Sequence, residues 1–210
     1  MRIPGGTKRE FVKGRPLLPC FVLALAVLAL LVGCAKKIPH DLTADYADRR
    51  VRLVAVMPII DKANNPEVNN LLRRRVVDAL YFKGYPKIPL NVVDEKLAAF
   101  FKDAQRPTLE AMPPKDAGAV LGVDAVLYST LEDCRTSYLF LYAPTSVAVS
   151  FQLYSVRTGE RLWQTKHRIN ERIFDVTPSR VRMKSCQIFE PALDEIVSKA
   201  MDTLPDGPDL

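Results

Sequence analysis

The side chains of this chain that could act as nucleophiles, general bases or metal ligands are few and lie far apart. The four cysteines and two histidines stand at these positions: Cys20, Cys34, Cys134, Cys186, His40 and His167. A zinc site needs such residues in pairs at short spacing, and the sequence has no pair of this kind. Motifs of phosphate-binding loops, zinc proteases, serine hydrolases and dithiol oxidoreductases are absent as well. We therefore predict a protein without a catalytic site, a metal or another cofactor.

Two further places could do chemistry, but both favour a structural role. Glu132 and Asp133 precede Cys134. Consecutive residues of a strand point to opposite faces, so we expect the acidic pair not to converge, and we interpret it as a loop end. His167 lies in a segment of alternating polar and apolar residues, which is typical of a structural histidine in a sheet. An enzyme of an unrecognised type that depends on His167 stays open as an alternative.

Cys34 differs from the other cysteines because its surroundings indicate a chemical modification. A basic leader is followed by a charge-free apolar run, residues 20–32, and then by the small residue Gly33. These parts are typical of a secretory signal peptide. As a helix, residues 20–33 would be about 21 Å long, whereas a hydrocarbon core is about 30 Å thick, so the alternative of an uncleaved membrane anchor is less favoured.

The residues Leu31-Val32-Gly33-Cys34 resemble the lipobox of bacterial lipoproteins. The resemblance implies that the peptide bond between Gly33 and Cys34 is cut and that the thiol of Cys34 carries a lipid. The folded part would then be held at the periplasmic face of a bacterial membrane. An aspartate after the cysteine would favour the inner membrane, so the alanine at position 35 favours the outer membrane.

Charge and length limit what the exported part can be. The formal charge of the whole chain is +6, but residues 1–33 hold five basic residues and one acidic residue, so the remainder carries +2. A charge this small gives no reason to expect nucleic-acid binding. We predict a signal peptide at 1–33, a lipidated tether at 34–50, one periplasmic domain at 51–204 and a disordered tail at 205–210.

The first half of the predicted domain alternates strands and helices. The elements are a strand at Val51–Met57, a helix at Glu67–Lys83, a strand at Ile88–Val93, a helix after Asp94, a short helix at Lys115–Leu121 and a strand at Asp124–Leu131. The first strand is almost wholly apolar, which is typical of a strand buried on both faces. The order predicts a βαβαβ arrangement.

The second half is predicted to be antiparallel. Residues 147–154 alternate between apolar and polar side chains, and Gly159 stands in a plausible turn. The returning strand places Trp163 and His167 on one face. We interpret residues 170–185 as a loop, and a helix at 189–203 closes the domain. The predicted fold class is therefore α/β (α+β), with a mixed sheet, an antiparallel hairpin and a C-terminal helix.

Cys134 and Cys186 are the two cysteines of the predicted domain. In an oxidising periplasm they could form a disulfide that closes a long loop and stabilises the fold by a few kcal/mol. The sequence does not fix the distance between their Cα atoms, so two unbridged thiols stay open as the alternative.

Three segments, taken in order, resemble one known group of proteins. They are a strand that ends in proline, a strand entered through a glycine and an Asp-Ala pair, and a hairpin with Thr-Gly-Glu before Leu-Trp: Val54–Pro58, Leu121–Tyr128 and Leu153–Trp163. They resemble a family of bacterial lipoproteins of unknown function whose domain is similar to the N-terminal domain of TolB, and to which the folds of CsgG and LpoB are related. The resemblance covers roughly residues 50–170.

The resemblance implies a non-catalytic periplasmic domain that serves as an accessory or assembly subunit of an envelope or secretion complex, and that could form homo-oligomers. An alternative is an auxiliary lipoprotein of a transporter that binds a lipid or a small ligand. For partner binding we select four aromatic residues: Tyr138, Phe140, Tyr142 and Trp163. The alternative for these residues is that the final helix covers them.

Overall fold

A mixed sheet of six strands organises the fold. The structure, a computed structural model, describes residues 38–104, 112–137, 139, 141–174, 177–180 and 189–208. The strands in these ranges are β1 His40–Leu42, β2 Val54–Val56, β3 Ile60–Asp61, β4 Ala125–Thr136, β5 Tyr142–Ser155 and β6 Arg161–Phe174. The helices are the 3₁₀ helix Tyr46–Arg49, α1 Pro66–Phe82, α2 Leu90–Ala104, α3 Pro114–Leu121 and α4 Phe189–Met201.

The strand order is β1-β6-β5-β4-β2, and β3 follows β2 along the same edge of β4. β2 and β3 run parallel to β4, whereas the β4–β5, β5–β6 and β1–β6 pairs are antiparallel. This arrangement confirms the predicted fold class, α/β (α+β) with a mixed sheet and a C-terminal helix.

The segment from β2 to α1 agrees closely with the prediction. Val54 and Val56 of β2 point into one apolar cluster, and Ala55 and Met57 point into another, so this strand is buried on both faces. Asn65 begins α1 because its side-chain oxygen accepts a hydrogen bond from the backbone N–H of Val68, 3.2 Å away. One stripe of α1 then faces the sheet: Val68, Leu72, Val76 and Leu80.

The predicted strand at Ile88–Val93 is wrong, because α2 begins at Leu90. Val93 and Leu97 are both 1% exposed, whereas Val92 is 37% exposed, and this spacing is helical. The β-branched pair Val92-Val93 favours a strand locally, but burial of one helical face overrides that preference. Within the described ranges, three helices therefore separate β3 from β4 instead of a helix, a strand and two further helices.

The antiparallel half is longer than the sequence indicates. β6 continues to Phe174, so residues 170–174, predicted as a loop, pair with the start of β5. The segment 137–142 is not a separate strand among its described residues. The backbone N–H of Leu139 donates to the carbonyl of Tyr142, and the N–H of Tyr142 donates to the carbonyl of Leu139. These two bonds close the turn between β4 and β5. The predicted alternation of β5 is confirmed, because Phe151 and Leu153 are fully buried.

The two sides of the sheet are covered to different extents. Helices α1 and α4 pack on one side over most of its width, and we call this side the covered face. Helices α2 and α3 pack on the other side, but only near β2 and the adjacent ends of β4 and β5. None of the helices in the described ranges combines the length and the apolar character needed to cross a membrane.

The described residues of the segments predicted as a tether, from Ile38 onward, and as a tail, up to residue 208, both contact the rest of the fold. β1 pairs with residues 163–165 of β6. Tyr46 is buried, and its hydroxyl forms a hydrogen bond with the hydroxyl of Tyr85, with the two oxygens 2.7 Å apart. At the other end, the backbone N–H of Gly207 donates to the carbonyl of Lys83. A Cβ atom at Gly207 would collide with the backbone of Gly84, so the tail lies directly on the end of α1.

Candidate functional site

The part of the sheet opposite α1 and α4 that α2 and α3 leave uncovered is polar, and we call it the open face. Alternation along β4, β5 and β6 places its side chains: Glu132, Asp133, Arg135, Ser146, Ser150, Gln152, Gln164, Lys166, Arg168 and Arg172. In the described ranges no helix packs over these residues. A groove of about 480 Å³ crosses this surface and reaches β1 at Pro39, His40 and Asp41.

A β-bulge in β4 organises the open face. Leu131 pairs with Val149 and Asp133 pairs with Ala148, so Glu132 is an extra residue between them. The bulge turns both carboxylates to the same side of the sheet. The prediction that Glu132 and Asp133 point to opposite faces is therefore wrong, and so is their interpretation as a loop end.

Asp133 is the centre of a charged cluster. Its carboxylate accepts hydrogen bonds from the guanidinium groups of Arg135 and Arg168, both with shortest distances of 2.7 Å, and from the hydroxyl of Ser146. The bond from Arg135 is the main reason that the pKa of Asp133 falls from 3.8 to about 2, and Arg168 and Ser146 lower it further against the effect of burial. The carboxylate is therefore fixed in its charged form at neutral pH.

Glu132 holds a second, more exposed cluster on the same face. Its carboxylate accepts bonds from Lys62 at 3.2 Å and from Ser150 at 3.1 Å. Burial raises the pKa of Glu132. The bonds from Lys62 and Ser150, together with the charge of Lys166, lower it by more than burial raises it, so the net shift is downward. Neither carboxylate has the raised pKa that a general acid near neutral pH needs.

The four aromatic residues selected for partner binding do not form one surface. Trp163 is fully buried on the covered face, and its indole N–H donates to the hydroxyl of Thr203 at 3.1 Å. The alternative that the last helix covers it therefore applies to Trp163. Tyr142 is half-buried at the start of β5. Tyr138 and Phe140 lie outside the described residues.

The turn that joins β4 to β5 still presents apolar side chains. Leu139 is 60% exposed and Leu141 is 37% exposed. These two leucines lie between aromatic residues that were selected for partner binding, but the sequence analysis did not select them. Exposed leucines at the tip of a hairpin are available to a partner.

The predicted site residues with reactive side chains are placed as follows. Cys134 is buried on the covered side of β4, where burial, assisted by the charge of Asp133, raises the pKa of its thiol to about 11. Cys186 lies outside the described residues, so the disulfide stays a prediction. His167 is half-buried opposite α4, and burial followed by the charge of Lys199 lowers its pKa. Gly33 and Cys34 also lie outside the described residues.

The described part of the chain contains no group of three or more Cys, His, Asp or Glu side chains that could hold a metal ion. The clusters around Asp133 and Glu132 instead join acids to basic residues. The sequence did not reveal this open face, because the bulge that brings the carboxylates together has no local signal. The polar residues at alternate positions of β6, Gln164, Lys166 and Arg168, were the available indication.

Comparisons with known proteins agree on one group. The profile of the family described as "Putative lipoprotein GNA1162-like" matches residues 41–206. "Putative lipoprotein NMB1124/NMB1162" of Neisseria meningitidis serogroup B is 28% identical over 156 residues, which cover 71% of this chain and 70% of that protein.

One solved structure extends the likeness to the fold, and a second is reported beside it. The crystal structure of lipoprotein GNA1162 from Neisseria meningitidis superposes with a TM-score of 0.51 at 24% identity, over 67% of this chain and 96% of that one. The C-terminal domain of LpoB from Salmonella enterica superposes with a TM-score of 0.40 at 14% identity, over 69% and 93% of the two chains.

Proposed function

The chain belongs to the GNA1162-like family of lipoproteins, and we propose that it is a lipid-anchored, non-catalytic accessory or assembly subunit of a complex in the bacterial cell envelope. The observation that carries this proposal is the family match over residues 41–206, which spans the folded domain and begins seven residues after Cys34. The proposed anchor is a lipid on the thiol of Cys34. The proposed location is the periplasmic face of the outer membrane.

The chemistry of the described surface supports a binding role. Asp133 and Glu132 are held in ion pairs with lowered pKa values, and Cys134 is a buried thiol with a raised pKa. Nucleophiles and general bases need the opposite shifts, because they must exchange protons near neutral pH. The exposed turn at Leu139 and Leu141 offers an apolar contact instead, and we propose it as the contact for an envelope partner or a second copy.

The groove on the open face does not favour the alternative of a transporter-auxiliary protein that encloses a lipid. The groove on the open face is lined by charged and amide side chains, among them Asp41, Glu132 and Lys166. An acyl chain needs an apolar, enclosed site. Native mass spectrometry of the protein purified from its host tests this alternative, because a retained lipid ligand would favour it.

The anchor is tested with two cysteine variants. We expect Cys34→Ser to lose incorporation of radiolabelled palmitate and to lose its lipid-dependent location in the membrane fraction. Cys134→Ser is the matched control, because it removes a cysteine from the buried side of β4, and we expect it to keep both label and location. Unchanged label and location in the Cys34→Ser variant would contradict the proposal.

The partner role is tested by crosslinking in intact envelopes. We expect Leu139→Asp combined with Leu141→Asp to reduce crosslinks to envelope proteins or to other copies of the chain. Phe82→Asp is the matched control, because Phe82 is a 78% exposed apolar residue at the end of α1, far along the chain from the turn. The role of the turn is refuted if both variants keep the crosslinks, or if Phe82→Asp removes them equally.

A further inference from the structure

We propose that the open face lies against the anionic surface of the membrane, with the basic side chains of β6 in contact with phospholipid headgroups. The inference rests on the proposed lipid at Cys34. It adds an orientation and a second membrane contact to the anchor, and it identifies the headgroup phosphate as the chemical group that the open face binds.

The first argument is the short length of chain between the anchor and the fold. Only Ala35, Lys36 and Lys37 stand between Cys34 and Ile38. Four residue steps span at most about 14 Å when fully extended. The domain therefore cannot move far from the headgroups. The point at which the chain enters the fold must stay close to the membrane surface.

The second argument is where that entry point lies. Pro39 and His40 line the rim of the groove on the open face, together with Ser150 and Lys166. The carbonyl of Pro39 accepts a bond from the hydroxyl of Thr165 at 2.9 Å, and β1 pairs with β6 from His40 onward. The chain is thus fixed to β6 within two residues of Ile38, so the β1 edge of the sheet, where the groove of the open face ends, is the part of the sheet nearest to the anchor.

The third argument is the distribution of charge across the sheet. β6 carries one acidic residue, Glu171, against four basic residues that follow its length: Arg161, Lys166, Arg168 and Arg172. Alternation and the bulge beside Leu153 place all four basic residues on the open face. On the opposite side, helix α4 carries three acidic residues and one basic residue, and helix α1 carries two acidic and three basic residues, so the two helices together hold a formal charge of −1. An anionic surface therefore attracts the first side more strongly than the second.

The ion pairs on the open face do not neutralise this asymmetry. Asp133 engages Arg168 and Arg135, Glu132 engages Lys62, and Asp41 of β1 lies 3.5 Å from Arg161. These three acids face six basic side chains on the open face: Lys62, Arg135, Arg161, Lys166, Arg168 and Arg172. Lys166 is exposed, and phosphate groups within a Debye length of it, about 8 Å at physiological ionic strength, are attracted by this net positive charge.

The first test uses the full lipidated protein without any substitution. We would reconstitute it into vesicles of phosphatidylethanolamine and phosphatidylglycerol, into neutral phosphatidylcholine vesicles and into detergent micelles. Acylation of each lysine by an amine-reactive reagent is then measured peptide by peptide with mass spectrometry. In the anionic vesicles we expect Lys166 to react about fivefold more slowly than in detergent. The attraction of one basic group to such a surface is about 1 kcal/mol, which corresponds to about a fivefold change in an equilibrium constant. Lys199 of α4 is the internal control and should not change.

A pair of charge-matched variants separates the face from the net charge. Arg161→Gln with Arg172→Gln should abolish most of the protection of Lys166, which remains as the reporter on the open face. Arg74→Gln with Lys199→Gln removes the same number of charges from α1 and α4, and it should leave Lys166 protected. Equal loss in both variants would overturn the proposal.

The remaining outcomes distinguish failure of the proposed function from failure of the membrane contact. Protein that does not float with vesicles and lacks lipid at Cys34 refutes the proposed function itself. Protein that floats, but whose Lys166 reacts as fast as in detergent, refutes only the membrane contact of the open face. Equal protection in neutral vesicles refutes the role of headgroup charge. Protection that requires added envelope proteins would assign the open face to an acidic protein partner and overturn the proposal.

Discussion

The same strands build two faces with opposite character. On β5, Phe151 and Leu153 are fully buried under α1 and α4, while their neighbours Ser150 and Gln152 point to the open face and are only half-buried. The covered face is a dry apolar core, and the open face is a lattice of ion pairs and hydrogen bonds. The difference indicates that the sheet over β5 and β6 is stabilised mainly from one side, which leaves its other side available for contact with a surface or a partner.

The covered face should therefore dominate the free energy of unfolding. We expect Phe151→Ala to cost about 3–5 kcal/mol, because it leaves a cavity against Trp163, whose ring centroid is 6.4 Å from that of Phe151. The adjacent substitution Gln152→Ala on the open face should cost no more than about 0.5 kcal/mol. Both values are measured by denaturant unfolding, with the fluorescence of the single tryptophan, Trp163, as the signal. Similar losses in the two variants would remove the contrast between the faces.

Asp133 is the residue of the open face with the largest expected effect. Asp133→Asn should cost about 1–2 kcal/mol at neutral pH, because two guanidinium groups lose a charged acceptor, although one of them is largely exposed. Since the pKa of Asp133 is lowered to about 2 in the folded protein, its contribution is present above the ordinary carboxyl pKa of 3.8. That contribution is lost as the pH falls from about 5 to 2.

The pH dependence gives the measurement. Unfolding free energies of the two proteins should differ most near neutral pH and converge toward pH 2. Asp78→Asn is a suitable control, because Asp78 pairs with Lys87 on the surface beside α1, where both side chains are about half exposed. A constant difference between Asp133→Asn and the original protein at all pH values would show that the charge of Asp133 does not contribute.

Local sequence patterns predicted those parts of the fold whose signals are local. The helices predicted at Glu67–Lys83 and Lys115–Leu121 and the alternation of β5 are each decided within a few residues. The family resemblance was likewise carried by short segments, among them Val54–Pro58. These elements have local preferences that agree with the tertiary structure, so the sequence sufficed.

The errors arose where a distant partner decides the outcome. Val92 and Val93 favour a strand by themselves, but packing of Val93 on the β2–β4 region makes the segment helical. The segment after Ile38 is polar, yet it pairs with the exposed edge of β6. The bulge at Glu132 depends on the register between β4 and β5. Neither a distant edge nor a register can be deduced from the residues of one segment.

A single hydrogen bond inside the covered core should count for more than one on the open face. Tyr46→Phe removes the bond between the hydroxyls of Tyr46 and Tyr85, while Tyr85 keeps its bond to the carbonyl of Pro205. We expect a loss of about 1 kcal/mol. Ser150→Ala removes the bond to Glu132 on the open face, where water can replace it, and should cost less. Denaturant midpoints of the two variants measure the difference, and a larger loss for Ser150→Ala would contradict it.

The smallest effect is expected at Lys62, whose ion pair with Glu132 lies at the surface of the open face. The side chains of Lys62 and Glu132 are 58% and 22% exposed, and their charged atoms are 3.2 Å apart. Exposed pairs of this kind contribute about 0–1 kcal/mol, so we expect Lys62→Ala to change the free energy of unfolding by no more than about 0.5 kcal/mol. Unfolding at low and high salt measures it, because any contribution from the pair should fall as salt screens it. A loss well above 1 kcal/mol that persists in high salt would make the open face part of the stabilising core. A negligible loss means instead that the basic residues of this face can exchange their partners at little cost to folding, which is what a surface that binds phosphate headgroups requires.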